Sequence, residues 1–134
     1  MAGPVAAAAV ILPAGWSLDG LDDSKKLTAA RREVLYERIT SDPDVCWAVA
    51  TASVEEIDRL NILRATHLAM RRAAESLATR PCHCLIDGLP VRGFPFPHDG
   101  VVKGDGLSLS ISAASILAKV SRDRIMLGID AEFP

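Results

Sequence analysis

Two short apolar segments of the sequence each run into a carboxylate beside a glycine. Cys82 to Ile86 reaches Asp87-Gly88, and Val101-Val102 reaches Lys103-Gly104-Asp105. The two aspartates stand eighteen positions apart. If the segments are neighbouring strands, their ends bring two negative charges together, and that is costly unless a divalent cation or a proton relieves the repulsion. Metal binding is one reading. The other makes each Asp a turn residue whose carboxylate bonds nearby backbone N–H groups, since Asp-Gly is a common turn pair. Pattern alone leaves both open.

Lys103 and the run Asp23-Ser24-Lys25-Lys26 supply cationic and hydroxyl groups suited to phosphate oxygens, and Lys119 adds one more ammonium; the plainer alternative is a solvated surface. Cys82-His83-Cys84 has the atoms of a metal cluster, but the spacing is too tight for a zinc hairpin and no second ligand pair follows, so zinc is set aside. His67 and His98 have no activated Ser or Cys partner in prospect and read as surface or structurally satisfied histidines.

These residues need elements to hold them. Val5 to Leu12 is a continuous apolar run closed by Pro13 and Gly15, which suits a strand covered on both faces. Thr28 can cap a helix through Ile39, with Leu27, Val34, Leu35 and Ile39 on one face and Asp42-Pro43 as the stop. Trp47 to Thr51 reads as a second strand. Ser53-Val54-Glu55-Glu56 has capping-box spacing and opens one helical stretch to about Ala78, its buried stripe drawn from Ile62, Thr66, Ala69, Met70, Ala73 and Leu77. Cys82 to Ile86 and Val101-Val102 are short strands separated by a loop rich in Pro and Gly, and Ser112 to Leu127 has helical periodicity. Strands alternating with helices predict an α/β sheet, in which ligands gather beyond strand ends.

With 134 residues, 49% apolar and 24% charged, the chain has the size of one domain and an ordinary globular composition. No apolar run is long enough to cross a bilayer, and the opening segment lacks the layout of a signal peptide, so no membrane partner and a cytoplasmic setting are expected. Cys46, Cys82 and Cys84 are an odd, sparse set and fit reduced thiols. A net charge of −2 does not announce a nucleic-acid binder, although a basic stripe can sit within a neutral total.

Six blocks, taken together, resemble bacterial ribonuclease HII in order and spacing. They are Ala2 to Ala8, Asp23 to Leu27, Glu56 to Leu63, Leu85 to Gly88, Val101 to Asp105 and Ser112 to Val120. The resemblance implies a ribonuclease H-like fold, a mixed sheet flanked by helices. It implies an endonuclease that cleaves the RNA strand of an RNA/DNA hybrid, or DNA containing ribonucleotides, with Mn2+ or Mg2+. Four carboxylates hold the metals in that family; Asp87 matches the third and Asp105 the fourth, which makes both candidate catalytic metal ligands. Ser24, Lys25, Lys26, Lys103 and Lys119 become candidate contacts to nucleic acid.

The family pattern also carries an Asp-Glu pair and a Gly-Arg-Gly motif just upstream of Ala2-Gly3-Pro4, and a tyrosine downstream, none of which this sequence contains. The expectation is therefore a single, incomplete domain over residues 1–134 lacking its first, central strand. Such a chain is expected to be inactive alone and prone to associate through open strand edges, whereas a completed version is expected to be a monomer. A non-catalytic remnant with weak nucleic-acid binding is the alternative.

Overall fold

The computed structural model describes residues 3–18, 28–79, 84–87, 94–101 and 109–128. Strand β1 (Val5–Ile11) lies antiparallel to β2 (Cys46–Ala52), in a register that runs from Val5 opposite Ala52 to Ile11 opposite Cys46. Successive side chains of a strand leave on opposite faces, and β1 uses both. Val5 and Ala7 pack with Ala52, Ala65 and Ala69, while Ala8 and Val10 pack into a cluster built on Leu35, Ile39, Ile116 and Leu117. Helix α3 (Ile62–Glu75) thus covers one face, and α1 (Ala29–Ser41) with α4 (Leu109–Met126) contributes to covering the other. This double cover is what the unbroken apolar run of β1 requires.

Helix α1 starts where its capping residue predicts. The Thr28 hydroxyl accepts from the Arg31 N–H at 3.2 Å, and the helix closes at Asp42, ahead of Pro43. Leu35 and Ile39 are fully buried, and each such side chain contributes roughly 1.5–3 kcal/mol. Val34, placed on the same face from sequence, is 43% exposed: it lies about 100° round the helix from Leu35, past the edge of the buried stripe. Leu27 lies outside the described residues.

The single helix expected from Ser53 to about Ala78 is two helices. The capping box is present, with Glu56 N–H donating to the Ser53 hydroxyl at 3.1 Å and Ser53 N–H donating to Glu56 Oε1 at 2.9 Å. It opens α2 (Val54–Leu60), which stops at Asn61, whose φ of 75° and ψ of 168° leave helical space. Asn61 then caps α3, its Oδ1 accepting from the Arg64 N–H at 3.1 Å. The break resets the helical phase. Ala65, Ala69, Ala73 and Ala74 form the buried stripe of α3, and Ile62, expected within it, is 57% exposed. Thr66, Met70 and Leu77 are only half-buried.

Strand β3 (Cys84–Asp87) pairs in parallel with β4 (His98–Val101), Cys84 opposite His98 and Asp87 opposite Val101. The second of these strands starts earlier than the apolar pair Val101-Val102 suggests, because a parallel ladder is made by the backbone and accepts the polar His98-Asp99-Gly100. Among the described residues the four strands form two separate two-stranded sheets, one antiparallel and one parallel, so the α/β class with mixed pairing is met. Helix α4 touches β1, β2 and β3 and backs both sheets. At its far end Arg122 Nε donates to the Pro4 carbonyl oxygen at 3.2 Å, tying α4 to the start of β1. No helix of the described residues is long and apolar enough to cross a membrane.

Candidate functional site

Asp87 is the last residue of β3, and the parallel register sets it opposite Val101, the last residue of β4. Both strands therefore end at one level, and the carboxyl ends of parallel strands are where α/β sheets collect ligand-binding groups. Asp105 comes four positions after Val101 and lies outside the described residues, as do Ser24, Lys25, Lys26 and Lys103. Of the candidate phosphate contacts only Lys119 is described; it is exposed on α4, between the buried Leu117 and Val120. Among the described residues no three His, Cys, Asp or Glu side chains are grouped so as to hold a metal ion.

His98 opens β4 with Nδ1 3.0 Å from the Phe96 carbonyl oxygen and its ring edge-on to Phe94, the centroids 5.0 Å apart. His67 is half-buried on α3. Cys46 is a free, half-buried thiol at the start of β2, Cys84 opens β3, and Cys82 and His83 lie outside the described residues.

One electrostatic network in the described residues sits where β2 hands over to α2. Arg72, reaching back from α3, donates through Nη1 to Glu56 Oε1 at 2.8 Å and through Nη2 to Glu56 Oε2 at 2.6 Å, and Nη1 also donates to the Thr51 carbonyl oxygen at 2.9 Å. One planar guanidinium thus fastens α3 to α2 and to the end of β2. The Arg72 hydrogen bonds, followed by the Ser53 backbone N–H, hold the Glu56 carboxyl down at about 2, well below the usual carboxylate range. A second pair ties α1 to α4: Arg124 Nη2 lies 2.7 Å from Glu33 Oε2, with the guanidinium 4.4 Å over the Tyr36 ring. The sequence showed the capping box but not Arg72, because a partner sixteen residues away leaves no local spacing to read.

By register, Val5 stands opposite Ala52, so the start of β1 and this fastened corner share one end of the β1–β2 pair. Ile62 and Leu63, just past the corner, are 57% and 63% exposed. Arg59 and Arg64, on either side of them in sequence, are also exposed, as is Arg71 further along α3; no local spacing marks these arginines, whereas Lys25 and Lys26 stand in a compact run.

A family model described as Ribonuclease HII matches residues 1–134. The chain is 56% identical over 135 residues to Ribonuclease HII of Myxococcus xanthus, an alignment covering 100% of this chain and 46% of that protein. It is 60% identical over 136 residues to Ribonuclease HII of Paracoccus denitrificans, covering 100% of this chain and 63% of the relative. The chain therefore spans about half to two thirds of the length of these relatives. Among solved structures it is similar to the ribonuclease H2 of Pyrococcus horikoshii OT3, with a TM-score of 0.70 and 26% identity over 98% of this chain and 72% of that one. It is also similar to a chain in the PCNA:RNase HII complex from Archaeoglobus fulgidus, with a TM-score of 0.72 and 25% identity over 98% of this chain and 70% of the other. Matched along its whole length by one family, and more than half identical to relatives of that name, the chain belongs to the ribonuclease HII family.

Proposed function

We propose that residues 1–134 form a single domain serving a metal-dependent endonuclease that cleaves RNA in RNA/DNA hybrids, or at ribonucleotides embedded in DNA. The observation that carries this reading is the parallel pairing of β3 with β4, which ends one strand on Asp87 and the other on Val101, four positions before Asp105 in the sequence. In this reading the two carboxylates are the metal ligands this chain contributes, and Ser24, Lys25, Lys26, Lys103 and Lys119 bind phosphates of the duplex. Mn2+ or Mg2+, when bound, supplies an activated water and stabilises charge on the leaving 3′ oxygen. The setting is the cytoplasm, with no membrane partner.

Replacing Asp by Asn keeps size and removes one negative charge, so it tests charge balance at the metal more than packing. The experiment is cleavage rate against Mn2+ concentration on a duplex containing one ribonucleotide, for this chain alone and for a version extended at both ends with the family's flanking segments. The extended protein is expected to cleave and the 134-residue chain to be inactive or nearly so. In the extended protein Asp87→Asn is expected to lose most activity, with Asp105→Asn also impaired and Asp99→Asn close to the parent. Equal damage from Asp99→Asn and Asp87→Asn would show the assigned residues to be wrong.

A further inference from the structure

Three features meet at the corner between α2 and α3. The first is backbone strain. Asn61 holds φ 75° and ψ 168°, a combination that residues with a side chain rarely adopt and keep only where the surroundings enforce it. Here they do, through the Ser53–Glu56 capping box, the Asn61 N–H donating to the Ile57 carbonyl oxygen at 2.8 Å, and Arg72 fastening Glu56 and Thr51. The second is what the strained turn presents. Ile62 and Leu63 are each more than half exposed, although a helix phased as the sequence suggests would have buried Ile62 against the sheet.

The third is charge. Arg72 and Arg124 are locked to carboxylates, and Arg32 lies 3.9 Å from Asp123. By contrast Arg59 and Arg64, on either side of the apolar pair, are exposed, and among the described residues neither guanidinium has an ion pair or hydrogen bond, although Glu55 and Asp58 stand on the same short helix as Arg59. A corner that shows two exposed aliphatic side chains, flanked in sequence by two exposed guanidinium groups without a partner among the described residues, suits a surface that alternates apolar sugar edges with phosphates. Guanidinium is suited to phosphate because its planar donors can bond two oxygens at once.

We infer that the α2–α3 corner, with Ile62 and Leu63 set between Arg59 and Arg64, is a contact surface for the sugar-phosphate backbone of duplex nucleic acid. This rests on the nuclease reading but is separable from it, since it places binding on residues that hold no metal and uses the 134-residue chain itself. Arg59 and Arg64 each neutralise a phosphate, which fixes how firmly and at what salt the chain holds a duplex. Ile62 and Leu63 add contact that salt does not screen.

The test is fluorescence anisotropy of a labelled RNA/DNA hybrid titrated with the purified chain across a salt series. Each phosphate contact contributes about 0.9 to the slope of log affinity against log salt. The double variant Arg59→Gln/Arg64→Gln is expected to lose close to 2 from that slope and to bind at least about tenfold more weakly at low salt. Ile62→Ser/Leu63→Ser is expected to weaken binding severalfold with the slope unchanged. Arg38→Gln, exposed on α1, is expected to match the parent, and thermal melts of all three are expected to overlay the parent's because these side chains are solvent-exposed. Parent-like slope and affinity in the arginine pair variant would overturn the inference, as would failure of the parent chain to bind the hybrid at low salt. Either result leaves the Asp87 cleavage experiment to judge the nuclease reading by itself.

Discussion

At the scale of single residues, Glu56 does two things with one carboxylate: Oε1 accepts from the Ser53 N–H and from Arg72, and Oε2 accepts from Arg72. Both depend on its charge. Its carboxyl is lowered from 4.5 to about 2, so its contribution to stability is fully present above pH 4.5, declines as pH falls below that value, and is lost as pH passes through about 2. Glu56→Gln keeps the shape and one acceptor but not the charge. Its loss of thermal stability relative to the parent is therefore expected to be greatest above pH 4.5 and to shrink towards pH 2, a difference that melts across that range would reveal. A constant gap at all pH values would mean that Glu56 contributes through the shape and hydrogen bonds of its side chain and not through its charge. Asp42 is lowered too, first by the Trp16 indole N–H at 2.8 Å and then by the Asp44 N–H, so part of the acid limb survives in the variant. The sequence held half of this arrangement, because Ser53 and Glu56 have capping-box spacing, while Arg72 reaches them only once the chain has folded back. The candidate site divides in a similar way: Asp87 was legible as a carboxylate closing an apolar strand, but its level with Val101 belongs to strand pairing.

At the scale of elements, helix α1 was readable almost to the residue because its signals are local: a hydroxyl cap, an apolar spacing and a proline after the stop. Strand β1 was readable for a different reason, since a run buried on both faces needs no alternation. The break at Asn61 was hidden because no Gly or Pro marks it and the alanines beyond it fit an unbroken helix as well as an interrupted one. This difference makes opposite predictions for two substitutions. Asn61→Gly removes the backbone strain and gives up a cap that glycine replaces at a cost of only a few tenths of a kcal/mol, so it is expected to stabilise the chain by about 1 kcal/mol. Asn61→Ala keeps the strain and loses the Oδ1 acceptor, and is expected to destabilise by about 1–2 kcal/mol. Ser53→Ala, which removes the hydroxyl partner of the Glu56 N–H, is expected to cost about 1 kcal/mol. Urea unfolding of the three variants measures these signs directly, and a destabilised Asn61→Gly would show that the side chain matters more than the angle.

At the scale of the whole molecule, the described residues form two small sheets that share one helix, and the described packing around the two differs. The β1–β2 pair runs seven residues in each strand, with alanines of α3 on one face and the Leu35, Ile39, Ile116 and Leu117 cluster on the other. The β3–β4 pair runs four residues in each strand and touches α4 alone among the described helices, apart from any weaker contact. Backbone hydrogen bonds open locally in proportion to how little buried packing surrounds them, so the two sheets should report different opening free energies within one folded chain. Amide hydrogen exchange of the 134-residue chain is expected to show β1 and β2 protected to nearly the level of global unfolding, with β3 and β4 exchanging faster by at least about tenfold. Ile116→Ala sharpens the comparison, because it removes a fully buried side chain from the first sheet's cluster at a cost of about 2–5 kcal/mol. If the sheets open independently, that variant speeds exchange in β1 and β2 and leaves β3 and β4 unchanged. Equal protection in both sheets of the parent, or an equal loss in both on Ile116→Ala, would mean that α4 couples them into one cooperative unit, so that the strand end carrying Asp87 is as firmly held as the core.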